Sequence, residues 1–166
     1  MTNFFNLIIK PLNTTHDRQS FYCGVEMLDH YLQRQARQDV KRHISRVFIA
    51  VETGRPKTVV AYYTLSSLSV ELNQLPEELS RKLPKHPVPA VLIGRLAVSH
   101  PAQGKGVDKM LLADAVKRIL VVSDEIPIYA IVVDAINRDA QKFYESFGFT
   151  LLNDDSHRMF LAIKSI

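Results

Sequence analysis

Residues 103–108, Gln-Gly-Lys-Gly-Val-Asp, carry the clearest chemical signal in the chain. They follow a strongly apolar run, VPAVLIGRLAVS (88–99), and precede a helical pattern, so a strand ends and a helix starts within a few residues. Gly104 and Gly106 permit positive φ and let backbone N–H groups approach a ligand closely. The start of the helix expected from about residue 106, Val107 included, offers unpaired N–H donors and a partial positive charge. Together these features suit a phosphate or pyrophosphate, and Lys105 adds charge at the rim. The segment is neither a Walker loop, because no Gly-Lys-Ser/Thr follows, nor a full GxGxxG fingerprint. A Gly-x-Gly turn also serves plain chain reversal, so the motif alone does not decide between the two roles.

Asp108 complicates this turn. An acid in the first helical turn is favourable by about 0.3–1 kcal/mol. A carboxylate about 5 Å from a phosphate costs about 3 kcal/mol at an effective dielectric near 20. Rotation outward, or pairing with Lys105 or Lys109, relieves that cost. The six histidines show no ligand spacing with Cys or acids, so no metal site is expected. His43, His86, His100 and His157 are scattered, and Glu52 and Glu71 read as solvated strand residues, so no general base is assigned. Cys23 lacks a Cys/His dyad signature and reads as a buried residue at a helix start.

The elements that position these groups follow from periodicity. FFNLIIK within the first ten residues predicts an opening strand. Leu28, Tyr31, Leu32 and Ala36 recur at helical spacing, with Arg34, Arg37, Gln38 and Lys41 on the opposite face. RVFIAVE (46–52) and TVVAYYTLSSLSVEL (58–72) predict strands separated by a turn at Gly54-Arg55-Pro56. Residues 73–90 hold four of the eight prolines and predict a loop with at most a short helix around Glu77–Lys82. A helix over 106–121 is expected to use Met110, Leu111, Ala115, Ile119 and Val122 as its apolar positions. A strand over 126–135, a helix over 137–147 ending at Gly148, and strands FTLL and HRMFLAIKS complete the chain. The order β-α-β-β-β-α-β-α-β-β predicts a mixed α/β sheet with helices on its faces.

With 166 residues, no repeats and no linker-like stretch, one domain spanning 1–166 is expected. No apolar run approaches the roughly 18–20 residues that cross a bilayer. The N-terminus lacks the marks of a signal peptide, and a single cysteine fits a reducing compartment, so a cytoplasmic location without membrane contact is expected. The net charge of +4 is the sign expected for a protein whose ligands are polyanions, and it also fits an ordinary solvated surface.

The segment around residue 103 resembles the coenzyme A-binding region of GNAT-superfamily acetyltransferases, Gln/Arg-x-x-Gly-x-Gly/Ala after a strand. Gln103, Gly106 and the helix start match, whereas the last Gly/Ala is Asp108. DAINRDAQKFYESFGF (134–149) resembles the family's next motif through Asn137, Ala140, Phe143, Tyr144, Gly148 and Phe149. The resemblance implies a GNAT fold, a mixed central β-sheet with a splayed strand pair flanked by helices. It implies that Leu96, Ala97 and Val98 offer backbone groups to the pantetheine arm and acetyl carbonyl of acetyl-CoA. It further implies that Asn137 holds the cofactor side and that Tyr144 is the general acid. A phenol of pKa near 10 is chemically suited to protonating a departing thiolate.

The likeness narrows further. FYCGVEMLDHYLQRQARQD, RVFIAVE, VVAYYTLSSLSV and LPKHPVPAVLIGRLAV resemble successive blocks of the acetyltransferase toxins of bacterial toxin–antitoxin operons. That resemblance implies acetylation of the α-amine of aminoacyl-tRNA and a block of translation. It also implies a homodimer, neutralisation by a ribbon-helix-helix antitoxin, and contact with operator DNA only through the antitoxin complex. Arg34, Arg37, Lys41, Arg42 and Arg46, joined by Arg81, Lys82 and Lys85, supply candidate phosphate contacts for tRNA or else a solvated face. Arg95, inside an apolar strand, is expected to pair with a carboxylate or turn toward the sheet edge. Two other readings stay open: acetylation of a small or protein amine, and a partner-binding fold whose cofactor site Asp108 has impaired.

Overall fold

The structure is a computed structural model that describes residues 6–152 and 157–166. The elements run β1 (Leu7–Pro11), α1 (Glu26–His30), a π-helical turn (Tyr31–Gln35), α2 (Ala36–Lys41), β2 (Arg46–Glu52), β3 (Ala61–Val70) and α3 (Glu77–Ser80). They continue with β4 (Val88–Val98), α4 (Val107–Ser123), β5 (Ala130–Asp134), α5 (Arg138–Glu145), β6 (Thr150–Leu151) and β7 (Arg158–Ala162). The strands form one seven-stranded sheet in the order β1-β2-β3-β4-β5-β7-β6. β1–β2, β2–β3, β5–β7 and β6–β7 pair antiparallel, and β4–β5 pair parallel. A parallel pair demands a crossover, and α4 is the helix in that connection.

The chain divides into two compact units, one of residues up to Ser66 with Arg95–Lys117, the other of Ser67–Gly94 with Arg118–Ile166. The first unit has a core in which Leu28, Tyr31, Leu32 and Ala36 pack with Val47, Ile49, Val51 and Tyr62. All four predicted helical positions are buried, yet the helix is not uniform, because a π-helical turn spans its middle. Carbonyls of that turn accept from outside the helix: Arg18 Nη1 donates to Leu32 O at 3.3 Å and Gln33 O at 3.0 Å, and Gln19 Nε2 donates to Gln33 O at 3.0 Å. Burial, then the nearby Arg37 charge, lowers the Arg18 pKa. Tyr62 and Tyr63 are fully buried because each hydroxyl has a partner: Tyr62 donates to Leu28 O at 2.6 Å and Tyr63 to the Asp114 carboxylate on α4.

The second unit has its own core of Val70, Leu75, Val88, Ala90, Ala130, Val132, Leu152 and Phe160. Its strand β5, AIVVD, is apolar on both faces, as a strand with parallel pairing tends to be.

Three expectations need adjustment. The strand expected over 126–135 begins only at Ala130, and Ile126 stays 58% exposed, so apolar content alone extended it too far. On α4, Leu111, Ala115 and Ile119 are buried as expected, but Met110 and Val122 are exposed and Val107 and Leu112 take their places. β3 starts at Ala61 rather than near 58. Phe4 and Phe5 of the expected opening strand lie outside the described residues.

Candidate functional site

The β4–α4 turn is built by hydrogen bonds within the first unit. After β4, Ser99 N–H donates to Val60 O and His100 N–H to Tyr22 O, both at 2.8 Å. A 3₁₀ turn follows over His100–Ala102, with Pro101 at its start. Gln103 then leaves in an extended conformation, and its Nε2 donates to Cys23 O at 2.7 Å and Val98 O at 2.9 Å. The Gln103 side chain is therefore a strut between the end of β4 and the segment before α1.

Gly104 and Gly106 adopt φ +75° and +82°, the region L side chains rarely enter. A Cβ placed on either meets no atom within 4 Å. The glycines are thus required by backbone conformation, and the space before them is open. Val107, the first residue of α4, is buried and anchors the helix start. Lys105 is exposed beside it.

Asp108 turns back onto its own helix, where its Oδ1 accepts from Lys109 N–H at 2.8 Å. This contact, a backbone one within the first turn, is none of the alternatives the sequence raises, which are outward rotation or pairing with the Lys105 or Lys109 side chain. Upstream, Ala97 is 4% exposed and belongs to the core, while Leu96 and Val98 are half-buried on the alternate face of the strand. The parallel register runs from Ala90↔Ala130 to Ile93↔Val133, and β4 itself continues to Val98.

The second unit holds the other sequence-predicted group. Asn137 is the N-cap of α5, its Oδ1 accepting from Ala140 N–H at 2.8 Å. At the far end Gly148 has φ +95°. Gly148 N–H donates to Glu145 O at 3.0 Å and Phe149 N–H to Tyr144 O at 3.2 Å, the paired bonds of a Schellman motif. Tyr144 is 6% exposed and lies edge-on to Phe149 at 5.6 Å and to the half-buried Phe143 at 5.2 Å. Backbone and ring are thus both held in place. Ala140 is half-buried on the same helix.

The basic residues fall in two sets, one per unit. Arg34, Arg37, Lys41, Arg42 and Arg46 are all exposed on or after the α1–α2 segment. Arg37 and Lys41 line a cavity of about 250 Å³ with Leu12, Asn13, Thr14 and Val40. Arg81, Lys82 and Lys85 are exposed on the loop around α3, and Arg81 pairs with Glu77 at 2.8 Å on the surface.

Arg95 has a partner that the sequence did not suggest. Its guanidinium stacks 3.5 Å from the centroid of the Tyr31 ring, while Tyr31 donates to Asp39 at 2.8 Å. Burial first, then the Asp39 hydrogen bond, raises the Tyr31 pKa to about 12. Sequence reasoning passed over Asp29, which is 7% exposed and accepts from Cys23 N–H at 2.8 Å. Its signal was an acid interrupting the apolar Leu28–Leu32 stripe. Burial, followed by the Asp29 hydrogen bond, raises the Cys23 thiol to about 11. Cys23 is therefore a poor nucleophile near neutrality. No group of His, Cys, Asp and Glu among the described residues is arranged to hold a metal ion.

A strand running into a two-glycine turn at a helix start, with a locked tyrosine on the following helix, is the arrangement the acetyltransferase motifs describe. The model of the acetyltransferase (GNAT) family matches residues 12–149. The chain belongs to the GNAT family of acetyltransferases. Among GNAT relatives, the tRNA-acetylating toxin of Mycobacterium tuberculosis is 35% identical over 155 residues, 93% of this chain and 91% of that one. The solved GNAT chain of AtaT complexed with acetyl-methionyl-tRNAfMet has a TM-score of 0.88 and 32% identity, covering 96% of both chains. A tyrosine-to-phenylalanine variant of AtaT, bound to the C-terminus of the antitoxin AtaR and to acetyl-CoA, has a TM-score of 0.81 and 28% identity, covering 96% of this chain and 94% of that one. A KacTA–DNA complex contributes a chain with a TM-score of 0.81 and 30% identity, covering 96% of this chain and 94% of that one.

Proposed function

We propose that this acetyltransferase moves an acetyl group from acetyl-CoA to the α-amine of aminoacyl-tRNA and so blocks translation. The likeness to the mycobacterial tRNA-acetylating toxin, 35% identity across 93% of the chain, carries the reading. The residues present fit the cosubstrate. Gly104, Gly106 and the start of α4 form an open, donor-rich turn for its anionic tail, with Lys105 at the rim. Bound there, acetyl-CoA supplies an activated thioester.

The protein's own contribution is electrostatic and positional. A peptide N–H within Leu96–Val98 stabilises the oxyanion that develops on the acetyl carbonyl. Tyr144 gives its phenolic proton to the departing sulfur as the C–S bond breaks and the N–C bond to the amine forms. The amine releases its proton to solvent, and the tyrosinate is reprotonated. Asn137, Ala140 and Phe143 shape the wall of α5 around the pantetheine arm. Gln103 keeps the end of β4 and the turn in fixed register through its two carbonyl contacts. Cofactor binding thus involves the backbone around 103–108, including Val107, whose burial fixes the helix start.

For tRNA, Arg34, Arg37, Lys41 and Arg42 on the first unit and Arg81, Lys82 and Lys85 on the second contact phosphates without reading sequence. The assembly is a cytoplasmic homodimer neutralised by a ribbon-helix-helix antitoxin, with operator DNA reached through that complex. One family model crosses both compact units, which favours a single domain over 1–166. The test is incubation of the protein with labelled acetyl-CoA and charged tRNA. Label on the aminoacyl group, released with the amino acid by mild base, is expected. Label on small or protein amines alone would replace the substrate assigned here, and failure to bind acetyl-CoA would favour the impaired variant.

A further inference from the structure

Tyr22 departs from the burial of its neighbours. Phe21 and Cys23 are 3% and 6% exposed, whereas Tyr22 between them is 61% exposed. The alternation is that of an extended segment with one face on the core. The backbone at this point is held from three sides. Tyr22 O accepts from His100 N–H at 2.8 Å, Cys23 O from Gln103 Nε2 at 2.7 Å, and Cys23 N–H donates to Asp29 at 2.8 Å. Beneath it, Phe21 packs edge-on against Tyr62 at 5.4 Å. The exposed phenol therefore stands on a rigid base.

Among the described residues its ring neighbour is His100, itself exposed, with centroids 6.0 Å apart and planes tilted by 36°. The contacts that tie this segment to the turn use backbone atoms of residues 22 and 23, so they do not depend on the side chain at position 22. His100 lies three residues before Gln103, and the Gln103 amide holds the carbonyl next to Tyr22. The backbone that carries both rings is thus tied to the segment entering the turn assigned above to an anionic nucleotide tail. A solvent-facing aromatic on fixed backbone beside a phosphate site is the combination that stacks a nucleobase.

We propose that Tyr22 and His100 form a stacking seat for an adenine ring. The inference rests on the acetyl-transfer reading, in which two ligands end in adenine: the nucleotide of acetyl-CoA and the 3′-terminal nucleotide of charged tRNA. The ring of Tyr22 supplies the face, and His100 limits the approach to one side.

The experiment compares full-length wild type with Tyr22→Ala, Tyr22→Phe and His100→Ala, each checked for an unchanged melting profile. Calorimetry gives the Kd of coenzyme A, and filter binding gives the Kd of charged tRNA; neither needs turnover. Stacking of one base is worth about 1–3 kcal/mol, so Tyr22→Ala should weaken one of the two ligands by roughly 5- to 150-fold. Tyr22→Phe should stay within about twofold of wild type, and His100→Ala should shift the same ligand in the same direction by less. Loss confined to coenzyme A assigns the seat to the cofactor; loss confined to tRNA assigns it to the acceptor end. Unchanged affinity for both ligands in Tyr22→Ala, or equal loss in Tyr22→Phe, overturns the proposal. Absence of acetylation by wild type would instead strike the reaction assigned above, since the seat is judged by binding alone.

Discussion

Replacing Asp108 with asparagine removes one negative charge from the start of α4 while keeping a side-chain oxygen for Lys109 N–H. A phosphate at this helix start, about 5 Å from the carboxylate, is repelled by about 3 kcal/mol at an effective dielectric near 20. Asp108 is half-buried, so salt screens it in part. At 0.15 M ionic strength the screening length is about 8 Å, which reduces the repulsion to about 1.5–2 kcal/mol. Asp108→Asn should therefore bind coenzyme A about 10- to 30-fold more tightly. In 1 M salt the screening length falls to about 3 Å and the advantage should shrink to about threefold or less. Stability should move the other way, by about 0.3–1 kcal/mol, because a favourable charge leaves the helix N-terminus. Calorimetric titration at the two salt concentrations, with thermal melts alongside, measures all three quantities. Equal affinity in low salt, or a gain that salt does not reduce, would refute the placement of phosphate charge beside residue 108.

Other perturbations test the frame around the site. Gly148→Ala puts a side chain at φ +95°, at a cost of about 1–2 kcal/mol. The new Cβ lies 3.5 Å from Leu161 Cδ1, an ordinary contact, so strain and not a clash should lower Tm in calorimetry. Gln103→Ala deletes hydrogen bonds to Cys23 O and Val98 O, and should reduce stability by about 1–3 kcal/mol and weaken coenzyme A binding in the same titration. Cys23 keeps its proton to about 11 when folded, against 9.0 for the unperturbed thiol. Between those values the folded chain binds more protons than the unfolded one, so its contribution to stability is complete below pH 9 and declines toward pH 11. Urea melts across this range should show the decline, and Cys23→Ala should reduce it, leaving the part that Tyr31, raised to about 12, contributes above pH 10.

Much of this architecture was legible because its signals are local. Two glycines before a helix fixed the place of the turn, and Asn137 and Gly148 bracketed α5 as cap and C′ residue. The boundaries of β2 were legible because a buried apolar run ends in charges on both sides. What local pattern could not reveal was long-range partnership. Gln103 reads as a motif residue, yet its amide reaches Cys23, 80 positions away. Arg95 reads as a charge needing a carboxylate or the sheet edge, and its contact with the face of Tyr31 is visible only in the structure. The π-helical turn left no mark in the apolar spacing, since Leu28 before it, Tyr31 and Leu32 within it and Ala36 after it are all buried. Exposure of Met110 and Val122 was missed because helical periodicity gives a stripe without saying how wide the cover over it is. Tyr22 was passed over for a related reason: sequence shows an aromatic, and only packing shows which way it faces.

The most direct test is a single-turnover comparison of wild type with Tyr144→Phe, using excess enzyme, labelled acetyl-CoA and charged tRNA. Proton transfer by a positioned side chain contributes about 10²–10⁴-fold to a rate, the share proposed here for the Tyr144 phenol. The variant should bind acetyl-CoA as wild type does, keep its melting temperature, and acetylate the aminoacyl group slower by that factor. Transfer at the wild-type rate would contradict the assignment of Tyr144 as the acid, and with it the account of how this fold moves an acetyl group.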